Sequence, residues 1–408
     1  MRTKVTSRPL VAGVAASLAP LLAATLTGCA GAPPADAPIA APVSASAGPV
    51  IPDRLRPITG AQVCAAVPET LRASLLRAET FGDDIDWSNN VATATWAWGK
   101  CDWYRGAARS LEVTVQAYGT ITRTATDHTR QVFDQSRASS AKQAVEPGDD
   151  GWTYTPPLAA KHGDAAFSLT GTETGERRSR YAHLVVRQGP WLISIRYRGE
   201  ERDGALPAEA ELRRGADRVA EVFTAEMTKA PGTVAPEDGG PCGAVSTADV
   251  DAAFFPSVTE VRGSRDAEDT TCTWKIRDGA GQTDDAAQTS DSCGRGVIQM
   301  GNVAPRCGEL RIHISDPARP ERAFDDQAAR FAEDAPVKHL TGLGDRAFTV
   351  ADQVHVLAGD DVIQLTYDGT NTGGGVRDAP GYQEPGLDAA ALRKSLVRIA
   401  KGFVSARD

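Results

Sequence analysis

Apolar residues along this chain follow two periodicities, and the order in which the two alternate is repeated once. Leu111, Val113, Val115 and Ala117 alternate with polar neighbours, as do Leu310, Ile312 and Ile314, a period of two that predicts strands with one wet face. Tyr181 to Val186 and Trp191 to Tyr197 flank Gly189-Pro190 and predict a hairpin; Val354 to Leu357 and Val362 to Tyr367 predict another around Gly359-Asp360. Leu212 to Met227 and Leu387 to Val404 carry apolar residues at helical spacing instead, the second with Asp388 placed to cap it.

Landmarks recur in the same order within each half. Cys64 in a helical stretch is followed by Cys101-Asp102-Trp103, a strand, a helix, Gly163-Asp164-Ala165-Ala166-Phe167, a strand pair and a closing helix. Cys242, Cys272-Thr273-Trp274 and Gly344-Asp345-Arg346-Ala347-Phe348 repeat the series. Nearly constant spacing between these landmarks implies duplication. The expected fold class is α+β: two tandem modules, each an antiparallel sheet packed against helices in the order helix, two strands, helix, about three strands, helix. Composition marks the boundaries. Residues 29–52 are mostly Ala, Pro, Ser and Gly and read as a tether, and Pro and Gly interrupt any helix over 230–240, which reads as a linker. The modules then occupy 53–229 and 241–408.

Residues 1–28 stand apart. Arg2, Lys4 and Arg8 precede an apolar run from Leu10 to Leu26 that is too short for a bilayer span and contains Pro20. The run ends in Leu26-Thr27-Gly28-Cys29, which resembles the lipobox of bacterial lipoproteins. That resemblance implies cleavage before Cys29, diacylglycerol on its thiol, and residence on the extracytoplasmic face of the cell membrane, held by the lipid.

Export changes the meaning of the other cysteines. Seven is an odd number, but with Cys29 set aside six remain, and an exported set of six implies three disulfides. The duplication selects Cys64 with Cys101 and Cys242 with Cys272. Cys293 and Cys307 are left to close a loop that only the second half carries. No Cys-x-x-Cys spacing suggests zinc.

A leading cysteine in a short helix, a Cys-x-Trp, a Gly-Asp-x-Ala-Phe and a terminal amphipathic helix behind a lipobox are similar to the actinobacterial cell-envelope lipoproteins grouped as a domain of unknown function. The resemblance implies a PsbP-like α/β/α sandwich in two tandem copies and transfers no catalytic residue.

The net charge of -9 becomes more negative once the leader's basic residues are removed, and most of the acidic excess falls after residue 240. Such a chain is not a general nucleic-acid binder. No nucleophile elbow, phosphate loop, paired histidines or calcium loop occurs, so no catalytic residue, metal or cofactor is expected. His162 precedes the first Gly-Asp where the second half has Leu343, and it reads as a packing or surface variant. Asp164 and Asp345 read as carboxylates that cap their own turns. Asp284, Asp285 and Asp291 read as a solvated acidic loop, and Gly369 to Pro385 as a surface insertion. Six of the seven tryptophans lie in the first half, with Trp96 and Trp98 on one strand face beside Cys101 and Trp103. If exposed, that pair is the candidate binding surface. The expected function is a non-enzymatic binding module for an envelope protein, glycan or small ligand. The alternatives are an envelope-acting hydrolase or transferase, and an accessory subunit of a transporter or receptor kinase.

Overall fold

Two short meanders per half, with four α-helices in the first half and three in the second, make up the described part of the chain in a computed structural model, which describes residues 55–91, 94–105, 108–119, 123–146, 151–173, 178–201, 205–228, 235, 237, 240–254, 258–277, 307–370 and 389–406. The leader, the lipobox with Cys29, the tether, Cys293, the Asp284–Asp291 loop, Asp388 and most of the Gly369–Pro385 stretch lie outside the described residues.

The first half opens with α1 (Gly60–Ala65), where Thr59 and Gln62 bond reciprocally as a capping box, and α2 (Glu69–Leu76). Strands β1 (Gly82–Asn90), β2 (Trp96–Arg105) and β3 (Arg109–Tyr118) form a meander, followed by α3 (Ala125–Val145), which Thr124 caps. Then come β4 (Trp152–Tyr154), β5 (Leu158–Ala160), β6 (Ala165–Glu173), β7 (Ser179–Gln188), β8 (Trp191–Glu200) and α4 (Glu209–Thr228). The second half repeats the series after a 3-10 turn at Gly240–Ala244: α5 (Thr247–Ala253), β9 (Val258–Arg265), β10 (Asp269–Arg277), β11 (Cys307–Ser315), α6 (Pro320–Asp334), β12 (Lys338–Leu340), β13 (Arg346–Val350), β14 (Gln353–Ala358), β15 (Asp361–Thr370) and α7 (Ala389–Ser405). Each opening meander thus has three strands where periodicity predicts two. The extra strands, β1 and β9, are rich in Asp, Asn, Arg and Ser, and their few apolar residues hide the alternation.

The protein is α+β, with one large antiparallel sheet. Its order is β12-β13-β14-β15-β11-β10-β9-β1-β2-β3-β8-β7-β6-β4, with β5 also on β6. Read outward from β9 and β1, the two halves present the same sequence of strands. At the seam Asp86 faces Ser264 and Trp87 faces Gly263. Ile85 faces Cys101 in one meander and Gly263 faces Cys272 in the other, which makes Ile85 and Gly263 equivalent. A local two-fold therefore passes through the Asp86–Ser264 pair. Trp87, 2% exposed, crosses the seam, and a Cβ on Gly263 would lie 2.5 Å from its indole, so only glycine fits there.

α1, α2 and α4 cover one face of the first half, and α5 and α7 cover the same face of the second. Beneath them a single apolar cluster runs unbroken from Val63 and Trp103 to Trp274 and Phe403. Disulfides Cys64–Cys101 and Cys242–Cys272, with Cα atoms 5.4 and 5.5 Å apart, tie the first helical element of each half to the sheet. On the opposite face α3 lies over Phe167, Leu169, Val185 and Leu192, and α6 over Phe348, Val350, Leu357 and Val362, as two separate smaller clusters. Within the segment read as a linker, Glu237 is buried, and its carboxylate accepts from Thr247 N at 3.1 Å and Thr247 Oγ1 at 2.9 Å at the start of α5.

Candidate functional site

Alternation along β2 divides its side chains cleanly. Ala97, Cys101 and Trp103 point into the core with Gly99 between them, while Trp96, Trp98, Lys100, Asp102 and Tyr104 are half-exposed on the other face. Trp96 and Trp98 do share a face, but it is the one opposite Cys101 and Trp103. They therefore do not pack beside the disulfide. Tyr118 and Gln116 of β3 stand across from them, and Ser88 of β1 lies beside Trp98.

This face is a helix-free floor. α3 packs over β3, β4, β7 and β8, and α6 packs over β14 and β15. Between them, across β2, β1, β9, β10 and β11, no helix is packed on this face among the described residues. At ~4.8 Å per strand these five strands make a strip roughly 20 to 25 Å wide.

Charges on the floor are paired laterally. Lys100 Nζ lies 2.6 Å from Asp102 Oδ2 and 3.7 Å from Glu112 Oε2, which Arg196 also approaches at 3.7 Å to Oε1. Across the seam Ser88 Oγ donates to Glu260 at 2.8 Å, and Glu260 also holds Arg262 and, at 3.4 Å, Lys275. Burial pushes the Asp102 carboxyl above its usual range despite the Lys100 hydrogen bond, and its Oδ1 has no partner among the described residues. The equivalent positions around Cys272 are Thr271 and Thr273, and Asp269 stands where the first half has Trp98. The indoles, the lysine and the carboxylate are thus features of the first half alone.

The Gly-Asp motifs do structural work. Gly163 and Gly344 adopt φ of 54° and 56°, and a Cβ on either would lie 2.5 Å from a carbonyl oxygen, of Arg187 and Leu357 respectively. Asp164 Oδ2 then accepts from Gly189 N at 2.8 Å, and Asp345 Oδ2 accepts from Gly359 N at 2.8 Å. Each carboxylate caps the neighbouring hairpin turn, not its own as the local pattern suggests. His162 pairs with Asp217 of α4, with Nε2 3.1 Å from Oδ1.

Of two other histidines, His355 is fully buried and His183 half-buried. His355, with 0% exposure, is stacked on Phe348 and bonded to Gln327 and Gln353, and its pKa is lowered to about 4 by burial. His183 bonds Ser194 at 2.8 Å and is lowered to about 4 by burial and by Arg196. Scattered positions in the sequence gave no sign of either. Among the described residues no group of His, Cys, Asp or Glu could hold a metal ion, and no helix is long and apolar enough to cross a membrane.

No family model and no curated protein matches the chain. Among solved structures, the di-domain ARO/CYC StfQ from the steffimycin biosynthetic pathway aligns over 84% of this chain and 96% of that one at 11% identity, with a TM-score of 0.15. A superposition that loose carries no argument about fold or activity.

Proposed function

We propose that this protein is lipid-anchored through Cys29 on the extracytoplasmic face of the cell membrane and binds an envelope glycan without chemically changing it. In this reading it is two tandem copies of a PsbP-like module, and the first copy carries the contact surface. The observation behind it is the position of Trp96 and Trp98, half-exposed on a sheet face that no helix covers. Indoles offer flat apolar area with a polar tip, which suits the C–H faces of sugars. The surrounding Lys, Asp, Glu and Arg already neutralise one another, so a partner on this floor need not carry compensating charge. The capped Gly-Asp turns also support binding over catalysis, because the two equivalent aspartates are committed to backbone hydrogen bonds.

The test is a tryptophan-fluorescence titration with soluble glycan chains from the host envelope, paired with in-cell crosslinking and mass spectrometry. The expected result is saturable binding that Trp96→Ala plus Trp98→Ala weakens about tenfold or more, since a stacked ring contributes on the order of 1 to 2 kcal/mol. Unchanged binding in that variant, or crosslinks to proteins alone, would sink the glycan assignment. Asp102 favours one rival, a hydrolase using its raised-pKa carboxyl as general acid. Asp102→Asn distinguishes them: glycan turnover lost with binding retained would point to the enzyme.

A further inference from the structure

At the opposite end of the first half from the Gly189-Pro190 turn, on the face that carries α2 and α4, lies a cleft of about 300 Å³. Arg77, Arg105, Arg109, Glu200 and Glu211 supply its charged wall. Among the described residues its charge is unbalanced. A single oxygen, Oε1 of Glu211, receives both Arg77 at 2.7 Å and Arg109 at 3.0 Å. The other carboxylate, Glu200, faces Arg198 at 3.9 Å. Among the described residues Arg105 reaches a neutral acceptor, the carbonyl of Arg77. Arg109 is fixed, with its side chain 10% exposed and bonded to Tyr197 Oη at 2.9 Å, which itself donates to Leu75 O at 2.5 Å. A rigid guanidinium and two exposed ones thus converge on a cleft in a chain of net charge -9.

α4 begins at the same wall. Ala208 stands at its N-cap, accepting from Leu212 N at 3.2 Å but offering no side-chain oxygen to the first turn. A cap without an acceptor beside surplus guanidinium donors is complementary to an oxyanion. Leu76, Ala108, Leu206 and Pro207 supply apolar wall for a compact carbon body attached to it.

We propose that this cleft binds a small organic oxyanion, a phosphate monoester or carboxylate with a short apolar body, and that Glu211 occupies the anion position until the ligand displaces it. The site is independent of the sheet floor, and its failure would leave the glycan reading untouched.

Isothermal titration of the full chain in detergent with butyl phosphate, butyrate, inorganic phosphate and butanol tests the proposal. Butyl phosphate or butyrate should bind more tightly than inorganic phosphate, and butanol should not bind. Arg105→Ala should weaken binding about tenfold, the loss expected for one charge-assisted contact, whereas Glu211→Gln should tighten it by a similar factor. Far-UV circular dichroism and the melting midpoint establish that both variants are folded. The opposite signs matter, because a merely destabilised protein would lose affinity in both. Binding by neither organic anion, equal binding by wild type and both variants, or neither organic anion tighter than inorganic phosphate would overturn the proposal.

Discussion

The two halves of this sheet agree at the disulfides, the tryptophans beside them and the Gly-Asp turn caps, and differ across the helix-free face. Cys101 and Cys272, Trp103 and Trp274, Gly163 and Gly344, and Asp164 and Asp345 occupy equivalent places with equivalent partners. On the helix-free face, Lys100 and Asp102 meet Thr271 and Thr273, and Trp98 meets Asp269. Shared positions thus explain architecture, and unshared ones are where a specific contact belongs. Asp164 and Asp345 illustrate the first class: the local pattern marks both as turn caps, and each accepts from the glycine of the neighbouring hairpin.

The agreement can be broken in order of effect. Each disulfide closes a loop of similar length, with sequence separations of 37 and 30, so removing either costs about 4 kcal/mol. Cys64→Ala plus Cys101→Ala and Cys242→Ala plus Cys272→Ala should shift urea unfolding equally. Because one apolar cluster spans the seam, each variant should still unfold in a single transition. Two resolved transitions would mean that the halves are energetically separate.

Acid comes next. His355 and His183 are held neutral with pKa values lowered to about 4, below the ordinary 6.5, so the unfolded chain takes up protons first. Stability is therefore full above the ordinary imidazole pKa and falls as pH drops from there toward the lowered value. For His355 the loss is roughly 3 kcal/mol. Urea midpoints at about pH 7 and about pH 4.5 should differ less in His355→Gln than in wild type; an unchanged difference would remove His355 from the account.

The smallest of these effects belongs to the turn caps. Asp164→Ala and Asp345→Ala should each cost about 1 to 2 kcal/mol, and by similar amounts, since each removes one charged acceptor from a glycine N–H. A marked inequality in their melting midpoints would contradict the equivalence of the two turns.

Much of this was legible in the sequence because it is local. The hairpins around Gly189-Pro190 and Gly359-Asp360 extend as Ser179–Gln188 with Trp191–Glu200 and Gln353–Ala358 with Asp361–Thr370, and α4 spans the segment that its apolar spacing marks. The seam was not legible. Gly82–Asn90 has Ile85 and Trp87 as its two apolar residues facing the core, beside the buried Asn89, and its partner β9 lies more than 170 residues away, as the Ser88–Glu260 bond shows with a separation of 172. The cleft was hidden for the same reason: Arg77 and Glu211 are 134 residues apart, and neither sits in a motif. Trp96 and Trp98 were visible as a same-face pair, but which face they shared depended on the parity that Cys101 sets, and that parity puts them on the side away from the disulfide.

The claim that the first half alone carries the contact surface is tested most directly by hydroxyl-radical footprinting of the full chain with and without soluble envelope glycan. The account predicts protection at Trp96, Trp98 and Tyr104, with His313 and the other second-half floor residues unchanged. Protection spread evenly over both halves, or absent from Trp96 and Trp98 while the glycan is bound, would contradict it.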